Sequence, residues 1–227
     1  DSHSDAGRGG NIEVNAPEKV TLSDVSSFGM EKSGDLIIQS RAARVNTGNV
    51  KTEAPQGNSG SIVINGTEVG TEDLSSIGTT NAGGIKVEAT RGSIRIYDIE
   101  NISEGTIGGL RLKATENTTI EDITQKAGKG DTNANISSGG DITTGDIYQN
   151  ADNDTNLNQT ARGDITTGDI YQNAGNDTNL NQAARGDIIT GNINQNAGND
   201  TNLNQTARGD ITTGNINQKA DNDTNLN

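Results

Sequence analysis

Apolar and polar residues alternate in short runs along the whole chain. Ile142-x-Thr144, Ile147-x-Gln149-x-Ala151 and Thr155-x-Leu157-x-Gln159-x-Ala161 follow a period of two, and the i, i+3, i+4 spacing of an amphipathic helix is absent. Each run predicts a short strand with one side turned inward. Clusters such as Asp152-Asn153-Asp154 and Gly175-Asn176-Asp177 divide the runs, as expected where the backbone turns sharply.

The runs repeat at a fixed interval. Arg162-Gly163-Asp164-Ile165-Thr166-Thr167-Gly168 returns from Arg185 and again from Arg208, each time 23 residues later. The Asp141, Asp164, Asp187, Asp210 series and the Leu157, Leu180, Leu203, Leu226 series keep the same period in different parts of the unit. Upstream, a Gly followed by alternating apolar residues starts at Gly10, Gly34, Gly60, Gly84 and Gly109, at intervals of 24, 26, 24 and 25 residues. A longer, irregular stretch joins Gly109 to Gly140. The reading is nine coil starts in one continuous solenoid, with irregular 24–26-residue coils over 1–130 and regular 23-residue coils over 131–227.

Fixed periods in the twenties mark solenoids. Three short strands per coil, each stacked on its counterpart in the next coil, predict an all-β fold: a single-stranded parallel β-helix of about nine coils with right-handed winding. No leucine-rich-repeat pattern occurs, and 23 is not a multiple of six, which excludes a left-handed hexapeptide helix. Expected interior ladders are Ile142, Ile165, Ile188, Ile211; Ile147, Ile170, Ile193, Ile216; Leu157, Leu180, Leu203, Leu226; and Ala151, Ala174, Ala197, Ala220. Equivalent residues would lie about 4.8 Å apart, giving a rod roughly 43 Å long. Asn ladders are expected through Asn150, Asn173, Asn196; Asn153, Asn176, Asn199, Asn222; and Asn156, Asn179, Asn202, Asn225, with amides bonding along each column.

Composition agrees with so thin an interior. Only 28% of the 227 residues are hydrophobic and 2% aromatic, too little for a conventional core but enough when each coil encloses a few side chains. With no Cys and one histidine, His3, neither a catalytic triad nor a Cys- or His-based metal site can be assembled. The chain therefore reads as non-enzymatic. A net charge of −14 argues against nucleic acid, and no apolar run is long enough for membrane insertion.

The N-terminal units, Gly9-Gly10-Asn11-Ile12-Glu13-Val14-Asn15-Ala16 with Val20-Thr21-Leu22-Ser23, and Gly83-Gly84-Ile85-Lys86-Val87-Glu88-Ala89 with Ser93-Ile94-Arg95-Ile96-Tyr97, resemble coils of the filamentous haemagglutinin-like family, of the cyanobacterial type. The resemblance covers residues 9 to about 125 and is repeat-level. It implies a β-helical stalk exported to the cell surface, for adhesion or filamentous display. The 23-residue array carries no family signature, and the family's secretion domain is not visible.

Several motifs invite chemistry. Arg-Gly-Asp occurs at Arg162, Arg185 and Arg208, as in integrin-type adhesion, but the repeat itself generates it: Gly makes the corner, Asp favours the turn and Arg offsets the Asp column. The columns Asp141, Asp164, Asp187, Asp210 and Asp154, Asp177, Asp200, Asp223 offer oxygens for Ca2+, although the calcium-binding nonapeptide is absent. Otherwise no cofactor is expected, and solvent and the Arg column would screen the carboxylates. Asn-Asp-Thr sequons at Asn153, Asn176, Asn199 and Asn222, and Asn-Gln-Thr at Asn158 and Asn204, are candidate glycan acceptors facing outward. An ice-binding Thr face is broken by Ile189. A pectate-lyase-like cleft would have to be built by the irregular stretch from Glu116 to Gly140.

The last unit stops in mid-repeat at Leu226 and Asn227 with no capping element, so a continuation or another copy is expected on that face. The function expected is an extracellular structural rod or head-to-tail filament on a bacterial surface, with glycans or surface polysaccharide as further partners. The alternatives are an adhesin shaft and a carbohydrate-active β-helix enzyme.

Overall fold

The computed structural model describes residues 1–5 and 7–227, and among these there is no helix. Short parallel strands stack into a β-solenoid of nine full coils, and a tenth begins at Thr224–Leu226. Each coil has three faces. Face one is a ladder of ten strands running from Ile12–Ala16 to Thr224–Leu226. Face two runs from Val20–Thr21 through Ile142–Thr144 to Ile211–Thr213, and face three from Ser2–Ser4 through Ile147–Ala151 to Ile216–Lys219. In Ile94–Ser103 and Thr118–Ala127 the second and third faces join in a single ten-residue strand.

The register is unbroken from coil to coil. The Leu157, Leu180, Leu203 ladder extends back through Ala134, Leu110, Ile85, Ile62 and Leu36 to Ile12. Ile142, Ile165 and Ile188 continue a face-two column begun by Val20, Val45 and Val69, and Ile147, Ile170 and Ile193 continue the face-three column of Val25, Val50 and Leu74. These side chains are fully buried in the regular coils, and Ala151, Ala174 and Ala197 line the last inward position of face three.

In the last described coil the same columns stand open: Ile211 is 46% exposed, Ile216 38% and Leu226 59%. One expectation needs correcting: the stretch between Gly109 and Gly140 is not irregular. Leu110–Ala114 pairs in register with Ala134–Ser138, which pairs with Leu157–Ala161, so the cadence passes through at 24 and then 23 residues. Gly109 and Gly140 merely sit at different corners: Gly109 precedes face one and Gly140 precedes face two.

The interior is also more polar than the aliphatic ladders imply. On face three the position after the aliphatic column holds Ser27, Thr52, Ser76, Asn101, Gln125, Gln149, Gln172 and Gln195, all buried. Each donates to a backbone carbonyl near the entry to face one, from Ser27 to the Gly10 carbonyl at 2.9 Å up to Gln195 to that of Asn202 at 3.1 Å. The column therefore braces one face against another in every coil. From Gln149 onward the amides also link along the axis, Nε2 to Oε1, at 2.8–2.9 Å. A second amide column, Gln159, Gln182 and Gln205, replaces the aliphatic series Ile38, Ile64, Val87, Leu112 and Ile136, with links of 2.7 Å. Buried amides are tolerable because each is paired above, below and sideways, as low-dielectric surroundings demand.

Candidate functional site

The corners carry the densest chemistry. At the corner entering face two, each Asp reaches forward one coil. The backbone N–H of Asp164, Asp187 and Asp210 donates to the Oδ1 of Asp141, Asp164 and Asp187 at 3.0, 2.8 and 2.8 Å. That carboxylate oxygen occupies the space where a Cβ on the next coil's glycine would lie, 1.8–1.9 Å from an ideal Cβ on Gly163, Gly186 or Gly209. Gly-Asp at this corner is thus a clip: the missing side chain admits the carboxylate, and the adjacent N–H binds it. The Arg-Gly-Asp triplets owe their Gly and Asp to this clip. Among the described residues, Arg162, Arg185 and Arg208 pair with no carboxylate within 4.0 Å, so backbone amides, not the Arg column, receive the Asp charges.

The corner between faces two and three repeats the device over almost the whole length. Asp24, Asn49, Asp73, Asp98, Asp122, Asp146, Asp169 and Asn192 each accept from the backbone N–H of their counterpart one coil on, ending at Asn215, at 2.6–3.4 Å. The column is not electrostatically uniform. Asp98 has its carboxyl raised, by burial first and then by the neighbouring Asp73, Asp122 and Glu121 carboxylates, against the lowering effect of the Asp122 N–H. Asp169 is held below the ordinary range, first by the Asn192 backbone N–H, then by the Asn192 amide, and also by the Tyr171 hydroxyl. Asp73, Asp98 and Asp122 line an outer groove of about 410 Å³. No group of three or more His, Cys, Asp or Glu residues with the geometry to hold a metal ion occurs among the described residues.

At the third corner the Asn column behaves otherwise than expected. The amides of Asn153, Asn176 and Asn199 do not bond along their own column. They donate to the Oδ1 of Asp131, Asp154 and Asp177 in the preceding coil, at 2.5, 2.8 and 2.9 Å, and only Asn222 donates to its own column, to Asn199. The same Asp oxygens take the N–H of Asp154, Asp177 and Asp200. The nitrogen that a glycan would occupy is therefore engaged at all four Asn-Asp-Thr sites. Asn158 is half-buried and donates to Asn135 at 3.2 Å, whereas Asn204 is exposed and its amide nitrogen has no partner among the described residues.

Amide tapes do form along other columns. Asn156, Asn179, Asn202 and Asn225 link at 2.9–3.1 Å, and on face three Asn173 donates to Asn150 at 3.2 Å and Asn196 to Asn173 at 2.7 Å. Beside this second tape stand Tyr148 and Tyr171, stacked with centroids 4.9 Å apart and planes 1° from parallel. Their hydroxyls donate to Asp146 and Asp169 at 3.3 and 3.2 Å. The two phenols are raised above their ordinary value, Tyr148 mainly by burial and Tyr171 mainly by its bond to Asp169. The signal for this surface was present in the sequence, since Tyr148 and Asn150 are the outward positions of one strand, but neither residue belongs to a recognised motif.

No protein family, curated protein or solved structure matches the chain.

Proposed function

We propose that this chain is a non-enzymatic structural rod of a bacterial surface, whose copies stack end to end into a filament. The observation that carries the reading is the unbroken register of nine coils, in which, among the described residues, no insertion rises above the strands to build a cleft. The repeat-level resemblance of residues 9 to about 125 to filamentous haemagglutinin-like coils is the reason for assigning the rod to the outside of the cell.

End-to-end stacking draws its support from the way the coils join: each offers open strand edges and clip acceptors to the next, as Asp187 and Asn192 do to Asp210 and Asn215, and a coil of another copy can take the same place. A head-to-tail contact of this kind does not close on itself and propagates as a fibre. The Asn204 side chain is the most accessible glycan acceptor, exposed and with no hydrogen bond to its amide nitrogen among the described residues.

Electron microscopy and sedimentation of the purified chain over a range of concentrations test the proposal. Fibres with a layer repeat of about 4.8 Å are expected, and Ile216→Lys should leave single rods. Discrete rods at every concentration would overturn end-to-end assembly. Peptide mapping of native material that finds the Asn204 peptide at its unmodified mass would remove the glycan.

A further inference from the structure

Face three carries a strip unlike the rest of the molecule. Its outward positions form two columns. One reads Thr124, Tyr148, Tyr171, Asn194, Asn217, and the other Lys126, Asn150, Asn173, Asn196, Lys219. In a chain of net charge −14, this strip contains no carboxylate, and a lysine stands at each end. The two lysines are four coil steps apart, about 19 Å along the axis. The strip lines a groove of about 490 Å³.

Two features of the groove have valences to spare. Asn173 uses one N–H on Asn150 and one oxygen lone pair on Asn196, which leaves a second N–H and a second lone pair for a ligand. The same donor–acceptor offer recurs at each coil. The Tyr stack stops at Tyr171, and the shorter Asn194 and Asn217 follow it, so the column steps down from rings to amides, with Tyr148 43% exposed and Tyr171 half-buried. A partly exposed aromatic stack beside regularly spaced amides matches a chain of sugar rings, whose C–H groups rest on the aromatic carbons while the hydroxyls bond to amides. The spacing of successive sugars is of the same order as the spacing of the coils.

We propose that this strip is a binding platform for a neutral linear polysaccharide, lying along the axis with one pyranose against the outer edge of the Tyr148–Tyr171 stack and its hydroxyls on the Asn150, Asn173, Asn196 tape and the flanking lysines. Charge selects the neutral polymer: an anionic one is repelled by the molecule as a whole. The platform does not depend on end-to-end assembly.

The test uses the purified 227-residue chain and affinity electrophoresis through gels holding a neutral linear glucan, a neutral linear mannan or the anionic polygalacturonate. Retardation by at least one neutral polymer and none by polygalacturonate is expected. Tyr171→Asn should weaken retention about tenfold. Because Asn194 and Asn217 already occupy that column, this variant prolongs a series the fold accepts. Tyr97→Asn, on a different part of the surface, should change nothing. Absence of retardation, retardation by polygalacturonate alone, or equal retention of the Tyr171 variant would overturn the proposal. So would a concentration-dependent sedimentation change that Tyr171→Asn abolishes without any glycan, since the strip would then be a contact between copies.

Discussion

At the residue scale, one side chain can do opposite things in a single column. Asp98 and Asp169 occupy equivalent positions, each accepting the next coil's backbone N–H, and Asn serves the same purpose at Asn49 and Asn192. Asp98 is raised by burial and acidic neighbours, so its ionised form opposes folding above its native pKa and the penalty disappears as the pH falls. Asp169 is lowered by donors, so its ionised form supports folding above the ordinary carboxylate range, and that support is lost as the pH falls through its native pKa. Asp98→Asn should therefore raise the melting midpoint at neutral pH and Asp169→Asn lower it, with both differences shrinking toward pH values below the carboxylate range. Thermal melts by circular dichroism at several pH values read this directly, and shifts of the same sign would contradict it. A parallel contrast lies inside the rod. The Thr178 hydroxyl is buried without a partner, whereas that of Thr167 donates to Gln159 at 3.1 Å. Thr178→Val should stabilise by about 1–2 kcal/mol by removing an unmet polar group, and Thr167→Val should cost about 1–3 kcal/mol by creating one.

At the scale of the element, the working unit is a corner shared by two coils rather than a strand. Gly186 and Asp164 form one such unit: an ideal Cβ on Gly186 would fall 1.8 Å from the Asp164 oxygen that binds the Asp187 N–H at 2.8 Å. Gly186→Ala should cost about 1–3 kcal/mol through overpacking. Combined with Asp164→Ala, which removes the colliding oxygen, the loss should fall short of the sum of the two single losses, because the residues share one interaction. Denaturant titrations of the four proteins decide it, and strict additivity would mean that the clip is not a unit. Corners of this kind also explain what was legible in the sequence. The Ile and Leu columns were readable because period-two burial and a constant repeat both mark them. The Asp columns are visible as residues but not in their role: summed as charges they look like repulsion, and only the fold seats each carboxylate over the next glycine. The Gln149 and Gln159 columns lie on the inward parity of runs that were recognised as strands, yet a long polar residue is by default assigned to solvent. The Asn153, Asn176, Asn199 column departs from the expected tape because the amide slips one residue: Asn176 donates to Asp154 instead of to its own copy, Asn153.

At the scale of the molecule, every coil touches only its neighbours, so stability is nearly a sum of coil terms and coil-to-coil interfaces. The hydrogen bonds linking side chains of the regular coils along the axis join residues 22 or 23 apart, never two coils apart. A whole coil is therefore removable. Deleting residues 163–185 would join Arg162 to Gly186, seat Gly186 over Asp141 as Gly163 is now, and bring Leu203 to the position of Leu180, with every ladder intact. Such a variant should remain a folded rod shorter by about 4.8 Å. Deleting one residue fewer would instead shift all that follows by one position. In a two-residue period this turns Ile188, Ile193 and Leu203 outward and carries Ile189 and the Asn tape inward. That second variant should lose its last coils to limited proteolysis and melt well below the first, although it keeps more of the chain. Circular dichroism, small-angle scattering and a protease time course would separate the two, and equal behaviour would mean that residue-over-residue stacking is not what holds the rod together.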